Sequence, residues 1–161
     1  CPIQTGGAQE FGLRAATQNV PLIAGLARAF ELVQEEGPGR LEKLISLRDQ
    51  ITAFVLENIP DSQLTGHPQN RLPNHASFAF KDVNGNLLIQ VLDAAGFACS
   101  SGSACKTGDP RPSSTLIRLG YGPAWTMGSL RVTLGKDSSE DQVGRFLEVL
   151  PSCVSKAREL A

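Results

Sequence analysis

The residues with the most chemical potential sit in one stretch, Phe97-Ala98-Cys99-Ser100-Ser101-Gly102-Ser103-Ala104-Cys105-Lys106-Thr107-Gly108-Asp109-Pro110. It opens as an apolar, strand-like run and becomes a segment of Ser, Gly and other small residues with a thiol in its middle. Such residues contribute little packing and leave the backbone free, so Ser101 to Asp109 are expected to be poorly ordered. Lys106 adjoins Cys105, and a neighbouring cation favours thiolate over thiol. On this segment alone, Cys105 reads equally well as a nucleophile and as an idle loop cysteine.

Two further side chains have the type and setting for chemistry. In Gly128-Ser129-Leu130-Arg131-Val132-Thr133-Leu134-Gly135, apolar residues alternate with polar ones, which predicts a short strand with Arg131 on its polar face. A guanidinium held at its base suits bidentate capture of a carboxylate, although most strand arginines are simply solvated. Near the other end, Thr17 and Asn19 stand just ahead of a helical pattern. A hydroxyl beside free N–H groups at a helix start is a natural anion site, and an ordinary N-cap reads as well there.

These groups need elements to position them. Gly6 to Asn19 holds three glycines and several polar residues, which reads as a shaped loop. Val20, Ile23, Ala27, Phe30 and Val33 recur at helical spacing, and a second helix is expected after a break at Gly37-Pro38-Gly39. The second helix carries a stripe of Leu41, Leu44, Ile45, Arg48, Ile51 and Val55 and ends before Pro60. Gln63-Leu64-Thr65 suggests a short strand. From Leu72 to Phe80 the period changes to two, with Ala76, Phe78 and Phe80 on one face. His75 in that strand reads as a structural histidine rather than a catalyst. Asn84 to Ala95 returns to helical spacing and stops at Gly96. Pro112 or Ser113 can begin a short helix through Leu119. A near capping box at Ser138-Ser139-Glu140-Asp141 opens a closing helix in which Pro151 is expected to introduce a kink. The mixed order predicts an α+β domain, with a small antiparallel sheet covered by helices.

Composition excludes several classes. The chain has 161 residues, 41% hydrophobic, enough for one proper core, and a net charge of −1 with scattered Lys and Arg. No basic stripe suggests nucleic acid, no polybasic patch suggests a membrane surface, and no apolar run approaches the roughly 18 residues of a spanning helix. Four cysteines, Cys1, Cys99, Cys105 and Cys153, are too sparse for a disulfide scaffold, which points to a reducing compartment. Cys99 and Cys105 with His67 and His75 have poor spacing for zinc, so no metal is expected. The opening Cys1-Pro2-Ile3-Gln4-Thr5-Gly6-Gly7, without an initiator Met, reads like the interior of a longer protein.

Gly6-Gly7-Ala8-Gln9-Glu10 with Arg14 and Thr17, the Leu72-Pro73-Asn74 strand start, Ser100-Ser101-Gly102-Ser103-Ala104-Cys105, and Ser129-Leu130-Arg131 occur in one order. Together they resemble the C-terminal part of a cysteine desulfurase of the NifS/IscS type, in the class-V aminotransferase group of pyridoxal-phosphate enzymes. The resemblance covers essentially the whole chain. It implies the small domain of a fold-type I enzyme: residues 1–19 a loop from a missing large domain, and residues 20–161 the small domain with a catalytic loop at 100–110. It implies transfer of sulfur from L-cysteine to Cys105 as a persulfide with release of L-alanine. Arg131 would hold the substrate carboxylate, and Thr17 the phosphate of the partner subunit's pyridoxal phosphate in a homodimer. A sulfur-acceptor protein such as an iron–sulfur scaffold follows from the same resemblance, and the reducing compartment read from the cysteines gives a cytoplasmic location as the expectation. Selenocysteine lyase, and a non-catalytic persulfide-carrying or docking domain, remain alternatives. Ala8 and Ala16 depart from the family, which usually has glycine at the first and commonly at the second. The missing large domain would supply the cofactor lysine and most cofactor contacts, so the chain alone is expected to be inactive.

Overall fold

A computed structural model describes residues 1–102 and 111–161. These fall into two compact units, Cys1–Pro38 and Gly39–Ala161. Ser103 to Pro110, including Cys105 and most of the stretch expected to be poorly ordered, lie outside the described residues.

In the first unit, residues 1–19 form a tight loop. A parallel bridge joins Gln4 to Arg14, and a 3-10 turn occupies Glu10–Gly12. The helix that follows, α1, runs Val20–Asn58. Asn19 accepts a hydrogen bond from the Leu22 N–H at 3.1 Å, so Asn19, not Thr17, caps it. The expected break at Gly37-Pro38-Gly39 does not end the helix: Pro38 lies inside the 39-residue α1. Proline removes one N–H and crowds the carbonyl four residues back, and the hydrogen-bond ladder on either side carries the helix past it. Within Cys1–Pro38 the apolar stripe faces outward, with Leu22 70% and Phe30 63% exposed.

The second unit has a three-stranded antiparallel sheet in the order β1 (Ser62–Leu64), β2 (His75–Phe80), β3 (Ser129–Thr133). The register pairs Phe78 with Leu130 and Ala76 with Val132, so apolar residues share one face. That face packs on Leu44, Leu47, Ile51 and Val55 of α1, on Leu88 and Leu92 of α2 (Gly85–Ala94), and on Phe146, Leu150 and Val154 of α5 (Glu140–Glu159). The expected α+β arrangement, a small antiparallel sheet covered by helices, is what the chain adopts. Local signals set the helix starts. Asn84 accepts from the Asn86 and Leu87 N–H groups at the start of α2. The box that opens α5 pairs Ser139 with Gln142. Pro151 lies within α5, which continues through it.

Two short helices, α3 (Ser114–Arg118) and α4 (Pro123–Thr126), precede β3. The second is too short for a periodic signal. Between α4 and β3 the chain crosses β2 at Gly128, whose carbonyl accepts the Phe80 N–H at 2.8 Å. A β-carbon there would collide with the Phe80 carbonyl oxygen, so close backbone approach requires glycine.

Candidate active site

The sheet face opposite the core carries His75 and Ser77 of β2 beside Ser129, Arg131 and Thr133 of β3. Ser77 stands opposite Arg131, and His75 opposite Thr133. Strand alternation places them there: each lies two residues from the next, out of phase with the buried Ala76, Phe78, Leu130 and Val132. Thr65 donates to the Ser77 hydroxyl at 2.8 Å. A cavity of about 460 Å³ opens over this face, lined among others by Thr65, His75, Ser77, Ser113, Thr115, Ser129 and Arg131.

Arg131 is half-buried and its backbone is held from both sides. β2 pairs with it on one edge. On the other, Ser100 forms an isolated antiparallel bridge to Arg131, with N–H···O distances of 2.7 and 3.2 Å. The strand-like run expected at Phe97–Cys99 reduces to this one bridge. Ser129 holds the same segment one step further along. Its hydroxyl accepts the Gly102 N–H at 2.9 Å and lies 3.2 Å from the Ser101 hydroxyl. Of the sequence candidates, the second unit therefore brings Arg131 together with the segment that leads into Cys105. Cys105 itself is outside the described residues.

The other thiols have a different character. Cys99 is packed against the core, and burial, with Cys153 adding to it, pushes its thiol up to about 11. Cys153 is buried on α5, and desolvation raises it as well. Neither holds a thiolate at neutral pH. Cys1, Cys99 and Cys153 are free. Among the described residues, no three metal-ligating side chains come together, and no helix is long and apolar enough to cross a membrane.

His75 borders the cavity without having been singled out for chemistry. Burial, then the Arg71 and Arg131 cations, hold its imidazole below the ordinary histidine range. Its alternation with Ala76 was legible in the sequence; its proximity to Arg71 and Arg131 was not, since that depends on strand pairing.

Thr17 lies in the first unit, exposed, two residues before the Asn19 cap. The Arg14 guanidinium donates to the Ala16 and Thr17 carbonyls at 3.0 and 3.2 Å. Ala16 adopts φ +78°, the left-handed region that favours glycine. The site at Thr17 thus combines an exposed hydroxyl, a nearby cation and a helix N-terminus, a donor set suited to phosphate.

Residues 4–146 match the family model for class-V aminotransferases. The chain belongs to that family, whose members are generally pyridoxal-phosphate enzymes. It is 39% identical over 160 residues to the cysteine desulfurase IscS 1 of Archaeoglobus fulgidus, covering 99% of this chain and 42% of that protein. The cysteine desulfurase IscS of Methanosarcina thermophila is also 39% identical, with 39% of its length covered. A solved NifS-like protein superposes with a TM-score of 0.80 at 30% identity, over 96% of this chain and 39% of the other. The NifS-like protein of Rickettsia africae, at 22% identity and a TM-score of 0.81, shares the fold. The chain thus spans about two-fifths of the length of the curated relatives it matches.

Proposed function

We propose that this chain is the C-terminal part of a pyridoxal-phosphate-dependent cysteine desulfurase, with residues 1–19 a loop that belongs beside the large domain and residues 20–161 the small domain. The observation that carries the reading is the Ser100–Arg131 bridge at the edge of the polar cavity. It ties the segment leading to Cys105 to the strand that bears the carboxylate-seeking guanidinium. Cys105 follows Ser100 by five residues, so chain length alone allows the thiol a reach of up to about 17 Å from that anchor.

In this reading Arg131 holds the carboxylate of L-cysteine through paired charge-assisted hydrogen bonds. Ser77 and the Thr65 hydroxyl behind it supply a polar wall beside it. Cys105, as thiolate, attacks the substrate sulfur. The S–S bond forms as the substrate C–S bond breaks, and the carbon that receives the electron pair takes up a proton to become the methyl group of L-alanine. Lys106 stabilises the attacking thiolate. Bound pyridoxal phosphate would supply the electron sink that labilises that C–S bond. Thr17, with Arg14 and the start of α1, would hold its phosphate in a neighbouring subunit. Lys43, Lys81, Lys106, Lys136 and Lys156 do not stand in the family's context for the lysine that would hold the cofactor.

The outward apolar stripe of Val20–Val33 supports burial against the rest of a larger polypeptide or a second copy. Transfer onward requires a sulfur acceptor, an iron–sulfur scaffold being one such class. The free thiols are in keeping with a reducing, cytoplasmic setting.

The test is to incubate the full-length protein carrying this chain with L-cysteine and map persulfide by mass spectrometry. One added sulfur on Cys105, with L-alanine released in equal amount, is expected. L-alanine formed without sulfur on Cys105 would overturn the assignment.

A further inference from the structure

Beside Arg131, the cavity has a second group that can change charge. His75 opens β2 on the same face, one cross-strand pair away. It also lines an adjoining cavity of about 610 Å³ that includes Arg71. His75 is therefore shared between two cavities, with a guanidinium in the lining of each. The charged groups around it come from three elements. Arg131 faces it from β3 and Arg71 from the loop before β2. From α1, Arg48 and Asp49 act on Arg71. Arg71 donates to the His67 and Thr65 carbonyls at 3.0 and 2.9 Å, and its Nη1 is buried without a hydrogen-bond partner among the described residues. Asp49 is engaged by Arg48 at 2.7 Å. The neighbouring His67 ring already accepts the Gln69 and Asn70 N–H groups.

Among the described residues, the pocket thus holds more positive charge than it pairs, and burial together with the two guanidinia disfavours a proton on the imidazole between them. An anion seated at Arg131 would offset the repulsion from that guanidinium and make protonation of the imidazole more favourable. We propose that His75 is a second, proton-linked arm of the carboxylate pocket: an anion held by Arg131 draws one proton from solvent onto the imidazole, which then faces the anion as a cation. The inference rests on the reading of Arg131 as the carboxylate holder. It makes substrate binding tighten as pH falls toward the histidine range, and it identifies the ligand class as a small carboxylate.

The full-length protein and its His75→Gln variant would be titrated calorimetrically with L-alanine, a thiol-free carboxylate probe, in buffers of different ionisation enthalpy. Near pH 6.5, wild type should take up about half a proton more per alanine than His75→Gln, and its affinity should rise about threefold more between roughly pH 8 and 6.5. In wild type alone, the His75 ring resonance should titrate at higher pH with alanine bound, a readout independent of how the variant folds. Equal proton uptake by the two proteins, or an unmoved resonance, would overturn the proposal. Arg131→Ala separates the two claims. If it weakens alanine binding at least tenfold while proton uptake is equal, Arg131 stands and His75 alone fails. If it leaves binding unchanged, both fail.

Discussion

At the scale of single residues, the two thiols of the central stretch carry opposite expectations. With Cys99 packed and its thiol pushed to about 11, Cys99→Ser in the full-length protein should leave persulfide formation largely intact, whereas Cys105→Ser should abolish it. Mass spectrometry of the two variants after exposure to L-cysteine checks the contrast. The same burial makes an alkaline prediction. A thiol whose folded value is raised contributes stability below the ordinary 9.0, and loses it as pH climbs through 9.0 toward about 11. The thermal midpoint should fall over that window, and less so in Cys99→Ala. For Arg131, replacement by Ala should weaken cysteine binding by about 1.5–3 kcal/mol, the loss of a charge-assisted contact, with cofactor content nearly unchanged; ligand titration and absorbance measure the two. Ala16, at φ +78°, should tolerate glycine with a gain of about 1 kcal/mol in stability, read by denaturant unfolding.

At the scale of elements, the site depends on β3 being placed between β2 and Ser100. Gly128 governs that placement, because it lets the incoming chain lie directly on the Phe80 backbone. Gly128→Ala should destabilise the chain by about 3 kcal/mol or more and displace β3, since the obstacle is backbone and cannot rotate away. Denaturant unfolding would show the loss, and it should exceed the roughly 1 kcal/mol expected for Asn84→Ala at the α2 cap. The elements also show where local reasoning misleads. Gly37-Pro38-Gly39 reads as a stop, yet α1 passes through it. Helical pattern on both sides of Pro38 carries the helix through the lost hydrogen bond and the ring's crowding of the preceding turn.

At the scale of the whole molecule, a stripe of large apolar side chains from Val20 to Val33 lies open to solvent in a chain two-fifths the length of its curated relatives. Residues 1–161 alone, given pyridoxal phosphate, should bind it without specific stoichiometry and release no sulfide from L-cysteine. Absorbance and a sulfide assay decide this. Stoichiometric binding with turnover would mean that a lysine within these residues serves the cofactor after all.

The sequence by itself determined the alternation of β2 and β3, the helical patterns of α2 and α5, and the order of motifs that places the chain among class-V aminotransferases. The alternation and the helical patterns are local, carried by residues within a turn or two of one another, where spacing and side-chain chemistry decide the outcome, and motif order is a property of the linear chain. Tertiary structure alone decided that Ser100 pairs with Arg131, that Cys99 is buried, and that Arg71 and Arg131 flank His75. Those relations join residues up to 60 positions apart in sequence, such as Asn74 and Leu134 at the edge of the same sheet. Strand register and the packing of helices on one face create them, and no local pattern encodes which strand a given strand will meet.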